Sequence, residues 1–139
     1  MYTIKQLAEH YQLPASTLRY YEQIGLLENV KRDDKKQRLY NDEHICRLDG
    51  IQCFKRAGMS ISEIQEYYEY EKDLTTNIDN ILLLIKNRES ETMQRIAEMQ
   101  SSLSHIREKI YYYDIVKQSI DSKEPIPSWD DIFHNNDEN

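Results

Sequence analysis

Between Thr75 and Ile120 the chain contains neither glycine nor proline, and good helix formers fill most positions. Nothing there breaks a helix, because Gly costs a helix interior about 1 kcal/mol and Pro about 3 kcal/mol relative to Ala. One helix through the stretch would be on the order of 66 Å long, at about 1.5 Å per residue. Within it Ile96, Met99, Leu103, Ile106, Ile110 and Tyr113 follow alternating steps of three and four. That is the a/d rhythm of a coiled coil. Thr92 and Glu89 interrupt the seam, and Ile85 and Leu82 restore it. A lone rod has nowhere to bury such a stripe, so the pattern predicts pairing with a second copy. The other arrangement, packing back on its own domain, is one that so long a helix would outreach.

The remaining sequence is also helix-rich, because three glycines and three prolines are the only strong breakers in 139 residues. An all-β domain would need many more turns. Thr3 is a candidate N-cap before Ile4, Leu7 and Ala8, an i, i+3, i+4 apolar set ending near His10. YQLPAS follows, with Leu13 as an apolar plug and Ser16 as a second cap. A helix then runs through TLRYYEQIGLL, with Gly25 as its stop. Two short helices joined by a tight turn match the helix-turn-helix pattern, whose second helix enters the major groove. Small helical hairpins without a nucleic-acid role share this pattern.

ENVKRDDKKQRLYN comes next and holds the densest basic stretch, Lys31, Arg32, Lys35, Lys36 and Arg38, interrupted by Asp33 and Asp34. Val30 and Leu39 with Tyr40 at its ends suggest a hairpin with a solvated basic tip. The two aspartates weaken it as a phosphate clamp. Asn41 or Asp42 caps a third helix through His44, Ile45, Leu48, Ile51 and Phe54, stopped by Gly58. SISE, from Ser60 to Glu63, is a capping box for a fourth helix ending near Lys72, with Tyr67, Tyr68 and Tyr70 as a packing surface. The tail after Ile120 is acidic, with Ile126, Trp129, Ile132 and Phe133 as anchors. It either docks on a partner subunit or stays disordered. The organisation expected is thus a domain over residues 1–72, a dimerisation helix over 75–120 and a tail over 121–139.

A net charge of −7 argues at face value against nucleic acid, but the charge is divided. Residues 1–60 hold ten Lys and Arg against eight Asp and Glu, and residues 61–139 hold eight against seventeen. The half with the helix-turn-helix is the one suited to a polyanion. The longest apolar run is five residues, Ile81 to Ile85, far short of the roughly 20 that span a bilayer. The opening MYTIKQLAEH lacks a secretion signal, which points to the cytoplasm and to reduced thiols at Cys46 and Cys53. No carboxylate pair, nucleophile with base or Gly-rich phosphate loop suggests an enzyme.

In their order, TLRYYEQIGLL, KRDDKKQRLY and FKRAGMSISEI resemble the DNA-binding domain of MerR-type transcriptional regulators over residues 2 to about 70. The resemblance implies a mostly α fold: a winged helix-turn-helix domain followed by a long helix that forms an antiparallel coiled-coil dimer. It implies promoter DNA with a palindromic operator and RNA polymerase as partners, with the dimer twisting the promoter. By position, Ser16, Thr17, Arg19 and Tyr20 would face DNA, with Tyr21 beneath them or at the backbone. Arg38 and Tyr40 would lie against phosphates in the wing, and Lys55 and Arg56 would serve a second wing. One departure is Lys36, where relatives commonly carry Gly in the wing turn. A left-handed backbone suits Lys less well, so a different turn is expected there, with the extra cation adding a phosphate contact.

Metal-responsive relatives carry cysteines at the start of the dimer helix and after it, whereas this chain has none beyond residue 53. Its four histidines show no paired ligand spacing, so neither a metal nor another cofactor is expected. Some 20 residues after the rod are too few for a large effector domain. Cys53, in IQCFKRAGM, resembles the lone cysteine of the subgroup that responds to aldehydes and other thiol-reactive electrophiles. Lys55 and Arg56 would favour its thiolate, while the helix C-terminus would oppose it. The other reading of Cys53 is a small buried core residue. A small ligand held among the tyrosines, and a coiled-coil interaction protein without DNA binding, are the remaining functional alternatives.

Overall fold

The computed structural model describes residues 1–134. In chain order the elements are β1 (Tyr2–Thr3), α1 (Ile4–Tyr11), α2 (Ala15–Gln23), β2 (Lys31–Arg32), β3 (Arg38–Tyr40), α3 (Asp42–Arg56), α4 (Ile61–Glu71), α5 (Leu74–Asp121) and α6 (Trp129–Phe133). The strands form one antiparallel sheet of order β1-β3-β2, with Tyr2 opposite Tyr40 and Arg32 opposite Arg38.

Side-chain caps start most of the helices. Thr3 and Gln6 make a reciprocal capping box on α1, Asn41 and His44 one on α3, and Ser60 and Glu63 one on α4. Each satisfies N–H groups that a helix start leaves open. In the box on α3, His44 accepts the Asn41 N–H at Nδ1 (3.0 Å) and offers Nε2 to the Glu28 carbonyl at 2.6 Å. The second nitrogen therefore carries the proton, and the buried ring ties α3 to the loop after α2.

Ser16 does not cap α2. The helix begins at Ala15 with Pro14 as its N-cap, in an extended conformation and with no side-chain cap bond. The Pro14 carbonyl accepts the Thr17 N–H at 3.0 Å, which leaves Ser16 exposed in the first turn. Gly25 ends the helix at φ 84°. A Cβ there would meet nothing within 4 Å, so the left-handed backbone is what calls for glycine.

The core draws Leu7 from α1, Leu18 and Tyr21 from α2, Tyr40 from β3, Leu48 and Ile51 from α3, and Ile64 from α4. Contacts divide the chain into two compact units, Met1–Thr92 and Met93–Asn139. The division falls inside α5, whose Leu84 packs on the core of the first unit.

In the second unit, Ile96, Met99, Leu103, Ile106, Ile110 and Tyr113 are between 43% and 71% exposed, and no residue of α5 is fully buried. The tail packs on α5 of its own chain through α6. Trp129 and Phe133 of α6 stack with ring centroids 4.3 Å apart and pack on Tyr112 and Tyr111 of α5. The Tyr112 hydroxyl donates to the Pro127 carbonyl (2.9 Å). Aromatic burial outweighs the tail's acidity because Asp130 and Asp131 stay exposed.

Candidate nucleic-acid interface

On α2, Ser16, Arg19 and Tyr20 follow i, i+3, i+4 spacing and are all exposed, Tyr20 by 47%; Thr17 is half-buried. Such spacing puts hydroxyl, guanidinium and phenol on one helix face. Tyr21 is different, being only 1% exposed with its ring in the core. Its hydroxyl accepts from Lys55 Nζ at 3.1 Å, so Tyr21 links the recognition helix to the end of α3 instead of facing solvent.

The wing is a β2–β3 hairpin whose turn is braced by Asp33. The Asp33 carboxylate accepts the N–H groups of Lys35 and Gln37, both at 2.9 Å, and its backbone bonds Lys36 and Gln37. Asp33 is therefore a turn brace, which removes much of the objection to an acidic residue in a phosphate-binding wing. The turn keeps the left-handed geometry: Lys36 sits at φ 61°. The expected change of turn does not occur, because the Asp33 bonds and the Arg32 guanidinium on the Lys36 carbonyl (3.0 Å) hold the backbone there.

Arg38 is half-buried and pairs through Nε with Glu22 of α2, fixing the wing against the recognition helix. Tyr40 does not lie at the surface. It is 0% exposed, edge-on to His44, and its hydroxyl has no partner among the described residues. This burial is at odds with the expected placement against phosphate: the ring belongs to the hydrophobic core, packed against His44.

A recess of about 510 Å³ gathers Arg19 from α2, Lys36 and Arg38 from the wing, and Lys5 from α1, with Thr3, Ile4 and Gln37 completing its wall. Four cations from three elements around one opening suit a phosphodiester backbone. Lys5 is the member that sequence reasoning missed. Its only signal is a lone cation beside β1, and the pairing of β1 with β3 is what brings it to the wing. Lys55 and Arg56 do not line this recess; they stand exposed at the C-terminal end of α3.

Cys46 and Cys53 are both free and exposed, so Cys53 is not a core residue. Among the described residues, no group of three or more His, Cys, Asp or Glu is arranged to hold a metal ion, and no helix is long and apolar enough to cross a membrane.

A helix-turn-helix, a braced basic wing and a shared cationic recess define a winged helix-turn-helix DNA-binding protein. Residues 2–71 match the model of the MerR HTH family regulatory proteins, and residues 45–109 match the MerR DNA-binding model. The chain belongs to the MerR family of DNA-binding transcriptional regulators. It is 33% identical over 116 residues to an HTH-type transcriptional regulator of Haemophilus influenzae, covering 84% of this chain and 86% of that protein. It is 39% identical over 95 residues to the HTH-type transcriptional regulator AdhR of Bacillus subtilis, covering 68% and 65%. Among solved structures it is similar to HiNmlR, a MerR family regulator lacking the sensor domain and bound to promoter DNA, with a TM-score of 0.75, 32% identity and coverage of 84% and 89%.

Proposed function

We propose that this regulator binds a palindromic promoter site as a homodimer, twists the DNA for RNA polymerase in the cytoplasm, and answers electrophile stress through Cys53. The observation that carries the DNA reading is the recess in which Lys5, Arg19, Lys36 and Arg38 meet. Ser16, Thr17, Arg19 and Tyr20 read or brace the major groove, while Lys5, Lys36 and Arg38 hold one phosphate run. Lys55 and Arg56 hold a second. Tyr21 supports from beneath. The similarity to HiNmlR, which was solved on promoter DNA, favours the same class of target.

The dimer reading rests on the six exposed apolar side chains from Ile96 to Tyr113. Antiparallel pairing about a two-fold axis between Ser104 and His105 sets Ile96 against Tyr113, Met99 against Ile110 and Leu103 against Ile106, with every layer apolar. Sliding by one heptad toward the N-terminus would set Glu89 and Thr92 in the seam.

Cys53 is supported as a sensor by its exposure and by Lys55 and Arg56 nearby in the last turn of α3. The thiolate sulfur adds to the carbonyl carbon of an aldehyde, and the carbonyl electron pair moves to oxygen and takes up a proton. Selection from a random duplex library tests the core of this reading: an inverted repeat should emerge. Recovery of no preferred sequence would count against it. A reporter driven by that repeat should respond to an aldehyde in the wild type and not with Cys53→Ser; an undiminished response would remove Cys53 from the account.

A further inference from the structure

Arg88 lies on α5, one helical turn after Leu84 and on the same face, and its side chain is only 16% exposed. Its guanidinium reaches two sides of the α3–α4 turn. Nη1 donates to the Ala57 carbonyl at 3.3 Å, and Nη2 donates to Glu63 Oε2 at 3.0 Å. Glu91, one turn further along α5, also pairs with it at 2.9 Å.

Both targets are structural joints. Ala57 is the C-cap of α3, next in the chain to Arg56, and its N–H bonds back to the carbonyls of Cys53 and Lys55. Glu63 closes the capping box of α4 by accepting from the Ser60 N–H and hydroxyl. One planar group thus spans the end of α3 and the start of α4, and it places a cation at the negative end of the α3 dipole. Nε of Arg88 is buried without a partner among the described residues.

We propose that Arg88 is a positioning residue for DNA binding: it fixes the α3–α4 turn against α5, and so sets where Lys55 and Arg56 present their charges. The inference rests on the reading that those two residues contact phosphate. The planar guanidinium holds both joints at once, where a flexible ammonium would yield.

A double-mutant cycle on the full chain tests this, using anisotropy on the duplex recovered by selection, with Arg88→Met and with Lys55→Ala/Arg56→Ala. If Arg88 acts through the turn, Arg88→Met weakens binding roughly 10-fold, and adding the double alanine change costs less than about twofold more. Arg88→Lys, which keeps the charge beside Glu63, should recover part of the loss. Losses that multiply, or an Arg88→Met variant that binds like the wild type, overturn the proposal. Should Arg88→Met fail to fold, Glu63→Gln replaces it in the same cycle with the same criteria. If Lys55→Ala/Arg56→Ala alone loses nothing, the phosphate-contact reading has failed, and the inference falls with it.

Discussion

Replacing Tyr40 by Phe removes one oxygen from the centre of the domain, and the structure predicts that the protein becomes more stable. The side chain is 0% exposed and its hydroxyl has no partner among the described residues. Burial, and then the Glu22 carboxylate, push the hydroxyl pKa above its ordinary value, so the group is a neutral, desolvated phenol. A buried hydroxyl without a partner costs about 1–3 kcal/mol. Against this, the gap left by one oxygen, roughly 15 Å³ at about 24 cal/mol per Å³, costs about 0.4 kcal/mol. The net gain is about 0.6–2.6 kcal/mol, or a rise in Tm of at least roughly 2 °C for a chain of this size. The assay is paired: thermal unfolding followed by circular dichroism, and anisotropy titration of the selected duplex. DNA affinity should stay within about twofold, since the hydroxyl points into the core. A phosphate contact from Tyr40 would instead be worth about 1.5–3 kcal/mol, or at least about 10-fold in affinity. A fall in Tm would mean that the hydroxyl is satisfied in the core, and such a loss of affinity would mean that it meets DNA.

Three other substitutions probe the wing, the dimer seam and the α4 cap. Lys36→Gly relieves a left-handed backbone that costs a side chain about 1 kcal/mol or more, so the Tm should hold or rise. The same change removes a cation, and the dependence of DNA affinity on salt should become shallower. Leu103→Asp puts two carboxylates near the proposed two-fold axis; sedimentation should show dimer for the wild type and monomer for the variant, with loss of tight binding to the inverted repeat. Glu63 has its carboxyl held below the ordinary range, first by the Ser60 backbone N–H and then by Arg88 and the Ser60 hydroxyl. A carboxyl depressed on folding contributes stability above its unfolded pKa and loses it as pH falls through the folded value. The stability gap between wild type and Glu63→Gln, read from urea midpoints, should therefore close as pH drops from about 6 to below about 4.

Where local chemistry decides, the fold is readable in the residues. Asn41, Ser60 with Glu63, and Gly58 mark the ends of α3 and α4 because caps are satisfied within a few positions. The unbroken helix from Leu74 to Asp121 follows from the lack of breakers. Ser16 misleads because serine favours caps, and only the turn geometry shows that Pro14 takes the role. Tyr40 misleads in another way. Two positions from Arg38 on the same strand it looks like a surface wing residue, and only the core packed around it, with His44 edge-on, shows that it is inside. Lys5 and Arg88 are hidden for a related reason. Each is one cation among many on a polar helix face, and only the sheet pairing of one and the packing of α5 for the other give them partners. Trp129, Ile132 and Phe133 stand out in the sequence as anchors, but that Tyr111 and Tyr112 of the same chain receive α6 had to be seen in the aromatic contacts.

On the proposed reading, the cations gathered at the recess supply a large share of the affinity for DNA. The direct test is the salt dependence of binding to the selected duplex, from about 50 to 200 mM monovalent salt, for the wild type and for Lys5→Gln, Arg19→Gln and Lys36→Gln. The wild type should lose affinity steeply, and each change should reduce the slope by about one ion per protomer. Lys5→Gln matters most, because that residue joins the site only through the fold. A slope unmoved by all three changes would contradict the account.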